Sequence, residues 1–411
     1  MVNLYLLMKR VYELANQILI LKSWWSYSPA QLTCFPYRVF RRLQVNGILL
    51  ILFLCFGYAD QSDTDSGQTR SEGQISILAT GDITVGSGLT PVLRRHGLDV
   101  LFGQISAEIQ NADISIATLN TSISDQGEPQ YAAETQHSFR AIPDLATSIA
   151  QAGWDVISLT TPHLLDFGHV AAEDTIRHLN RNGIKTIGAG LSTHSANDPA
   201  WVRPRVTADI VDPADDVPSG LVPTRQGAQV AFVTYYHAGA FNVDGQIKLA
   251  RALYSEMTNR TRDLTTKSDL LVVMMHWGKA VQTEAVSNRQ QFFAQALIEA
   301  GADLVLSQRL HTLQGIQIFK GKPIIYSLAD LIYENFDKRH AQIVIPKVTF
   351  RNRQLQHIEL IPVWVGNPKA KYQPQTLSGE QAKTTLTKYK QLCQSLDTTV
   401  SVEIDRGWIR P

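Results

Sequence analysis

Two distant stretches of this chain follow one plan, and that repetition limits the fold more than any other feature. Ala152-Gly-Trp-Asp-Val-Ile-Ser-Leu-Thr-Thr-Pro-His163 and Ala300-Gly-Ala-Asp-Leu-Val-Leu-Ser-Gln-Arg-Leu-His311 both run from an aspartate through apolar residues to a histidine at the same separation. Ser268-Asp-Leu-Leu-Val-Val-Met-Met-His276 and Ala112-Asp-Ile-Ser-Ile-Ala-Thr-Leu-Asn120 follow a similar plan. Short apolar runs of this kind read as buried strands. In an α/β sheet, ligands gather in the crevice beyond the carboxyl ends of the strands. Asn120, His163, His276 and His311 are therefore expected at one shared site. Asp113, Asp155, Asp269 and Asp303 open the strands at the far end and are expected to be structural.

With 411 residues, 44% hydrophobic and 18% charged, the chain can bury a full-sized core. Its net charge of +1 gives no sign of a basic face for nucleic acid. Arg38, Arg41 and Arg42 precede the apolar run Gly47 to Phe56, and Gly57-Tyr58-Ala59 supplies small residues behind it. That order fits an export signal. The run, roughly ten residues long, falls short of the about twenty that span a bilayer; an uncleaved membrane anchor is the alternative. Without this segment only Cys393 remains of three cysteines, which excludes an internal disulfide and a thiolate metal cage.

Four divisions follow: an N-terminal extension with signal or anchor over 1–59, a polar linker over 60–73, a folded domain over 74–366 and a helical tail over 367–411. Within the domain, strands are expected at Ile75 to Asp82, Asp113 to Leu119, Lys185 to Gly190, Gln229 to Tyr236, Leu270 to Met275 and Leu304 to Leu306. Helices are expected within Val92 to Asn111, at Pro143 to Ala152, at Ala171 to Asn182, around Gln246 to Asp263 and at Asn288 to Ala300. Ser192 to Gln226 reads as an irregular excursion. Residues 322 to 365 close the domain as a mixed or antiparallel sheet.

Gly81-Asp82, Phe139-Arg-Ala141, Leu165-Asp-Phe-Gly168, Gly188-Ala-Gly190, His276-Trp-Gly278, Ala300 to Val305, His311-Thr-Leu-Gln-Gly315 and Tyr326-Ser-Leu328 occur in that order. On these pieces the chain resembles the bacterial capsule-synthesis family CapA, the poly-gamma-glutamate biosynthesis proteins, from Ile75 to Trp364. The resemblance implies a calcineurin-like metallophosphatase fold, α/β and layered αββα with mixed sheets. It also implies metal ligands at strand ends: Asp82, His276 and His311, with Asn120 where such proteins carry Glu and His163 at the end of an Asn-Asn-His segment.

The departures from that pattern matter as much. Thr118-Leu119-Asn120 replaces Asn-Leu-Glu, Thr161-Pro162 replaces Asn-Asn, Arg309 replaces a histidine, and Ala329-Asp330 replaces Gly-Asn. Arg309, permanently charged, would repel a nearby divalent ion by an amount on the order of several kcal/mol. One divalent metal at most is expected, of unknown identity, and the resemblance leaves enzyme activity open. Two readings stand. Either His163 acts as general acid beside one cation, or Arg309 replaces a cation's charge and the cleft of a pseudoenzyme holds a phosphate or glutamyl carboxylate. Arg309 could instead pair with Asp330. Asp166 could orient His163 or cap the next helix, and the cap is preferred. The expected partners are an anionic polymer or phosphorylated substrate, envelope polymer-assembly proteins and, if the anchor stays, the membrane. The expected location is extracytoplasmic, in the periplasm or at the cell surface.

Overall fold

Four parallel strands begin on the aspartates singled out above, and each aspartate does the same job. Asp113 accepts the backbone N–H and the hydroxyl of Ser76, both at 2.8 Å. Asp155 accepts the N–H of Ser115 at 2.7 Å, Asp269 that of Gln229 at 2.7 Å and Asp303 that of Leu271 at 2.9 Å. Each carboxylate thus ties its own strand to the start of the neighbouring one.

The computed structural model describes residues 73–86, 88–97, 100–130, 138–205, 227–237, 246–277, 283–333, 341–366 and 373–411. The expected extension, signal or anchor, and the linker up to residue 72 lie outside these. In chain order the main elements are strand β1 (Gln74–Thr84), strand β2 (Ile114–Leu119), helix α1 (Asp144–Ala152), strand β3 (Val156–Ser158), helix α2 (Gly168–Arg181) and strand β4 (Lys185–Ile187). Strands β5 (Ala200–Val202) and β6 (Val230–His237), helix α3 (Tyr254–Thr265), strand β7 (Leu270–Trp277), helix α4 (Asn288–Glu299) and strand β8 (Leu304–Gln308) follow. The chain then runs through β9 (Leu313–Phe319), β10 (Lys322–Leu328), β11 (Asp330–Tyr333), β12 (Gln342–Arg351) and β13 (Gln354–Trp364). Helix α5 (Gly379–Gln394) and the hairpin β14 (Ser401–Glu403) and β15 (Arg406–Ile409) end it.

One sheet runs β14-β15-β13-β12-β1-β2-β3-β4, with β11 joined parallel to the end of β1. The other runs β9-β10-β8-β7-β6-β5. Side chains alternate between faces along each strand. Ile77, Ala79, Ile116 and Val156 face a core shared with Phe232, Val272, Met274 and Leu306 of the second sheet. The opposite faces carry Leu78, Ala117 and Ile157 against Leu145, Ile149 and Leu179 of α1 and α2. On the second sheet Val233, Val273 and Val305 meet Met257, Leu264 and Leu297 of α3 and α4. The order of layers is αββα with mixed sheets, as expected.

Several boundaries move. The helix expected around Gln246 to Asp263 begins only at Tyr254, because Leu249 pairs with Ala189 in a short antiparallel bridge upstream. The segment Val92 to Asn111 holds two short helices, the first ended by Gly97 at φ +84°. The expected excursion contributes the edge strand β5, and 206–226 lie outside the described residues. The C-terminal segment contains the expected helix, but Leu386, Tyr389 and Cys393 insert into the core between the sheets and β15 pairs with β13. Among the described residues no helix is long and apolar enough to cross a membrane.

Glu359 on β13 sits between Lys347 and Arg406. Burial works against its charge, but the two cations outweigh burial and hold its pKa below the ordinary 4.5. A carboxylate with a depressed folded pKa contributes stability above about pH 4.5, lost as pH falls through the folded value. Glu359→Gln should therefore lower stability by about 2 kcal/mol at pH 7. Denaturant melts across pH should show that deficit vanishing below pH 4.5.

Candidate metal and anion site

Parallel register lines up the strand ends. Asp82, Thr118 and Ser158 form one row across β1, β2 and β3; Tyr236, His276 and Gln308 form another across β6, β7 and β8. The register of β1 is irregular between Ala79 and Ile83, and there Asp82 pairs with Asp330 of β11. Its N–H donates to the Ala329 carbonyl at 3.1 Å. This approach is possible because residue 81 is glycine: a Cβ there would lie 1.7 Å from the Ala329 oxygen.

Ligand atoms of Asp82, His311 and Asp330 all lie within 4.8 Å of one another. His311 Nδ1 is 2.9 and 3.0 Å from the two carboxylate oxygens of Asp330. Burial, reinforced by the charge of Asp330 and opposed by that of His311, pushes the Asp82 carboxyl up to about 8. Burial opposes charge on His311 too, but its bond to Asp330 and the Asp330 and Asp82 charges outweigh burial and Arg309, raising it to about 9. Asp82 Oδ1, His276 Nε2, Gln308 Oε1, Thr80 Oγ1 and Thr312 Oγ1 are buried without a hydrogen-bond partner among the described residues. Buried polar atoms are rarely left so, and an unpartnered Asp82 oxygen inside the three-residue cluster fits a site made for a ligand.

The expected residues divide into groups. Asp82 and His311 come together, and their third companion is Asp330, one of the departures from the family pattern. The departure supplies the site's second carboxylate. His276 is buried against Tyr236, ring centroids 5.2 Å apart, with Nδ1 3.5 Å from the Gln308 amide nitrogen. Burial lowers its pKa well below 6.5, and the charges of Arg309, His311 and His163 lower it further. His276 stays outside the three-residue cluster. So does Asn120: its amide donates to Thr84 at 3.1 Å and accepts from the Thr161 hydroxyl.

His163 is held by Asp166, Nδ1 to Oδ2 2.8 Å, and Asp166 also accepts the Phe139 N–H at 2.8 Å. This corrects the preferred cap, since α2 begins after Phe167 without any side-chain cap bond. The rings of His163, Phe139, Tyr333 and His311 stand in a row, neighbouring centroids 4.9, 6.2 and 5.6 Å apart. They form a wall from the oriented imidazole to the cluster. The pairing of Arg309 with Asp330 does not form; Asp330 is taken by His311. Arg309 has no carboxylate partner among the described residues, and its backbone is left-handed at φ +101°.

Fold and site together define an αββα protein with carboxylates and imidazoles gathered at the carboxyl rim of its parallel strands. The family described as bacterial capsule synthesis protein PGA_cap matches residues 76–335, and the chain belongs to it. It is 22% identical to the capsule biosynthesis protein CapA of Bacillus anthracis, over 73% of this chain and 70% of that one. It is 20% identical to the PGA biosynthesis protein CapA of Bacillus subtilis, over 77% and 78%. Among solved structures, the calcineurin-like phosphoesterase YfkN of Bacillus subtilis aligns over 79% of this chain and 98% of that one, with 13% identity and a TM-score of 0.38.

Because the missing Cβ at residue 81 lets β1 and β11 meet, Gly81→Ala should separate Asp82 from Asp330. A melting experiment should show a loss of about 3 kcal/mol.

Proposed function

We propose that this chain is an exported protein of capsule or poly-glutamate-type polymer assembly whose rim cluster holds one divalent cation through Asp82, His311 and Asp330. The observation that carries the cation is Asp82 Oδ1, buried and without a partner among the described residues, beside a second carboxylate and an imidazole. Two carboxylates and one nitrogen suit a hard or borderline divalent metal. A bound ion of that kind supplies Lewis acidity toward a phosphoryl or carbonyl oxygen. Arg309 offers a planar fork for an anionic group. His163, its ring set by Asp166, is placed to hand a proton to an oxygen at the cleft. Family membership and the names of the two CapA relatives support the polymer. Export rests on the 1–59 segment, and envelope assembly proteins are the expected partners.

A second reading has its own support. With Asp82 protonated, His311 an imidazolium and Asp330 its counter-ion, the cluster is neutral at pH 7 without any metal. That state suits a non-catalytic cleft in which Arg309 binds the anion.

Metal analysis of protein purified without chelator, together with assays on simple phosphate esters, separates the two. About one ion per chain, lost in Asp82→Asn, is the expected result. Two ions per chain would overturn the single-cation site. No ion, with phosphate binding abolished by Arg309→Ala, would give the site to the second reading.

A further inference from the structure

His163 stands on a single 3-10 turn, Pro162–Leu165, shortly after the end of β3. The sequence Thr161-Pro162-His163 builds that turn locally. Proline at its first position has φ already set and brings no N–H, so the first N–H in need of an acceptor is that of His163 itself. Thr161 Oγ1 accepts it at 3.3 Å from an extended backbone at φ −141°. Threonine often caps a turn in this way. Here the capping hydroxyl is bonded onward.

Thr161 Oγ1 donates its own proton to Asn120 Oδ1, and Asn120 Nδ2 donates to Thr84 Oγ1 at 3.1 Å. Each direction in the series is fixed by the one before. The His163 N–H can only donate, so the Thr161 proton goes to the amide oxygen, and the amide that offers its oxygen there turns its nitrogen to Thr84. Thr84, Asn120 and Thr161 are at most 2% exposed, so water does not compete for these bonds. The series starts on β1 two residues beyond Asp82, and the Asn120 N–H also donates to the Ile83 carbonyl at 2.9 Å. The strand that carries Asp82 therefore holds the main chain of His163. At the ring, Asp166 Oδ2 takes Nδ1 at 2.8 Å, which leaves Nε2 as the nitrogen to act.

We infer that Asn120 and Thr161 are positioning residues for His163, setting its main chain relative to Asp82 while Asp166 sets its ring. Two held points leave the imidazole one placement. Without the Thr161 hydroxyl, the His163 N–H and Asn120 Oδ1 both lose a partner and the turn is released. This deepens the reading of His163 as proton donor and rests on it.

The test follows exchange with water of the His163 Nδ1 proton, by NMR of the full chain labelled with 15N-histidine and 15N-tryptophan. The indole N–H of Trp277, which donates to Ser307 at 2.6 Å, is the internal reference. Thr161→Val, which removes the hydroxyl, should speed exchange at His163 roughly tenfold and leave Trp277 unchanged. Thr84→Val, at the far end of the series, should act in the same direction and carries the test if Thr161→Val does not fold. Thr161→Ser should keep the parent rate. With a simple phosphate ester, Thr161→Val should lower kcat and leave KM unchanged. Parent exchange at His163 in both valine variants would overturn the inference, and so would equal acceleration at His163 and Trp277, the mark of general loosening. Acceleration in Thr161→Ser as large as in Thr161→Val would overturn the role of the hydroxyl. The expected exchange pattern in a protein that cleaves no ester supports the positioning and counts against His163 as the proton donor.

Discussion

The rim of this protein is positioned from its opposite edge. Asp113, Asp155, Asp269 and Asp303 each fix a neighbouring strand by accepting an N–H at or near its start. A slip of one residue would turn every side chain to the other face, exchanging the shared core for the helix-covered one and moving His276 and Asp82 out of the cleft. Both sheets protect the device alike. Arg205 bonds Asp155 and the carbonyls of Ile109, Ala112 and Gly153; Arg353 bonds Asp303 and the carbonyls of Thr265 and Ser268. Carboxylates satisfied by backbone N–H groups and covered by a guanidinium are stable interior features. They make the alignment of the distant strand ends a consequence of packing.

That half of the structure was legible because it is written locally. An aspartate, a short mostly apolar run and a polar terminus declare a buried parallel strand and both its ends. Of the expected rim residues, Asp82 and His311 come together, with Asp330 as their companion. What could not be read depends on contacts distant in sequence. Asp330 follows a residue with left-handed backbone and reaches the site only because β11 pairs with the end of β1. Asp166 looked like a cap, since nothing nearby in sequence shows that Phe139 would bring its N–H to that carboxylate. The apolar face of α5 is sparse, so the helix read as a polar tail until Leu386, Tyr389 and Cys393 were seen between the sheets.

Part of the backbone strain lies in the site itself. Arg309, His311 and Ala329 all have positive φ without being glycine, and they occupy the two connections that carry the cluster. Each such residue costs roughly 1 kcal/mol or more. The strands on either side hold them there: β8 and β10 are interior to the second sheet, and β11 is joined to β1. Relaxing any one would swing His311, Asp330 or the Arg309 guanidinium away from the others.

Charge explains why these three positions belong together. Relative to the pattern the chain resembles, a carboxylate is absent at 120, a carboxylate is present at 330 and a permanent cation stands at 309. Moving the negative charge from Asn120 to Asp330 shifts it off the β2 side, where Thr84 and Thr161 now occupy the amide, and onto His311. A second metal ion on the β2 side would find a neutral amide already engaged and a guanidinium acting across the cleft. A single ion at the proposed site would meet two carboxylates, whose charge opposes the repulsion from Arg309. The site as proposed is therefore one mobile positive charge beside one fixed positive charge, an arrangement matched to a substrate with more than one anionic group.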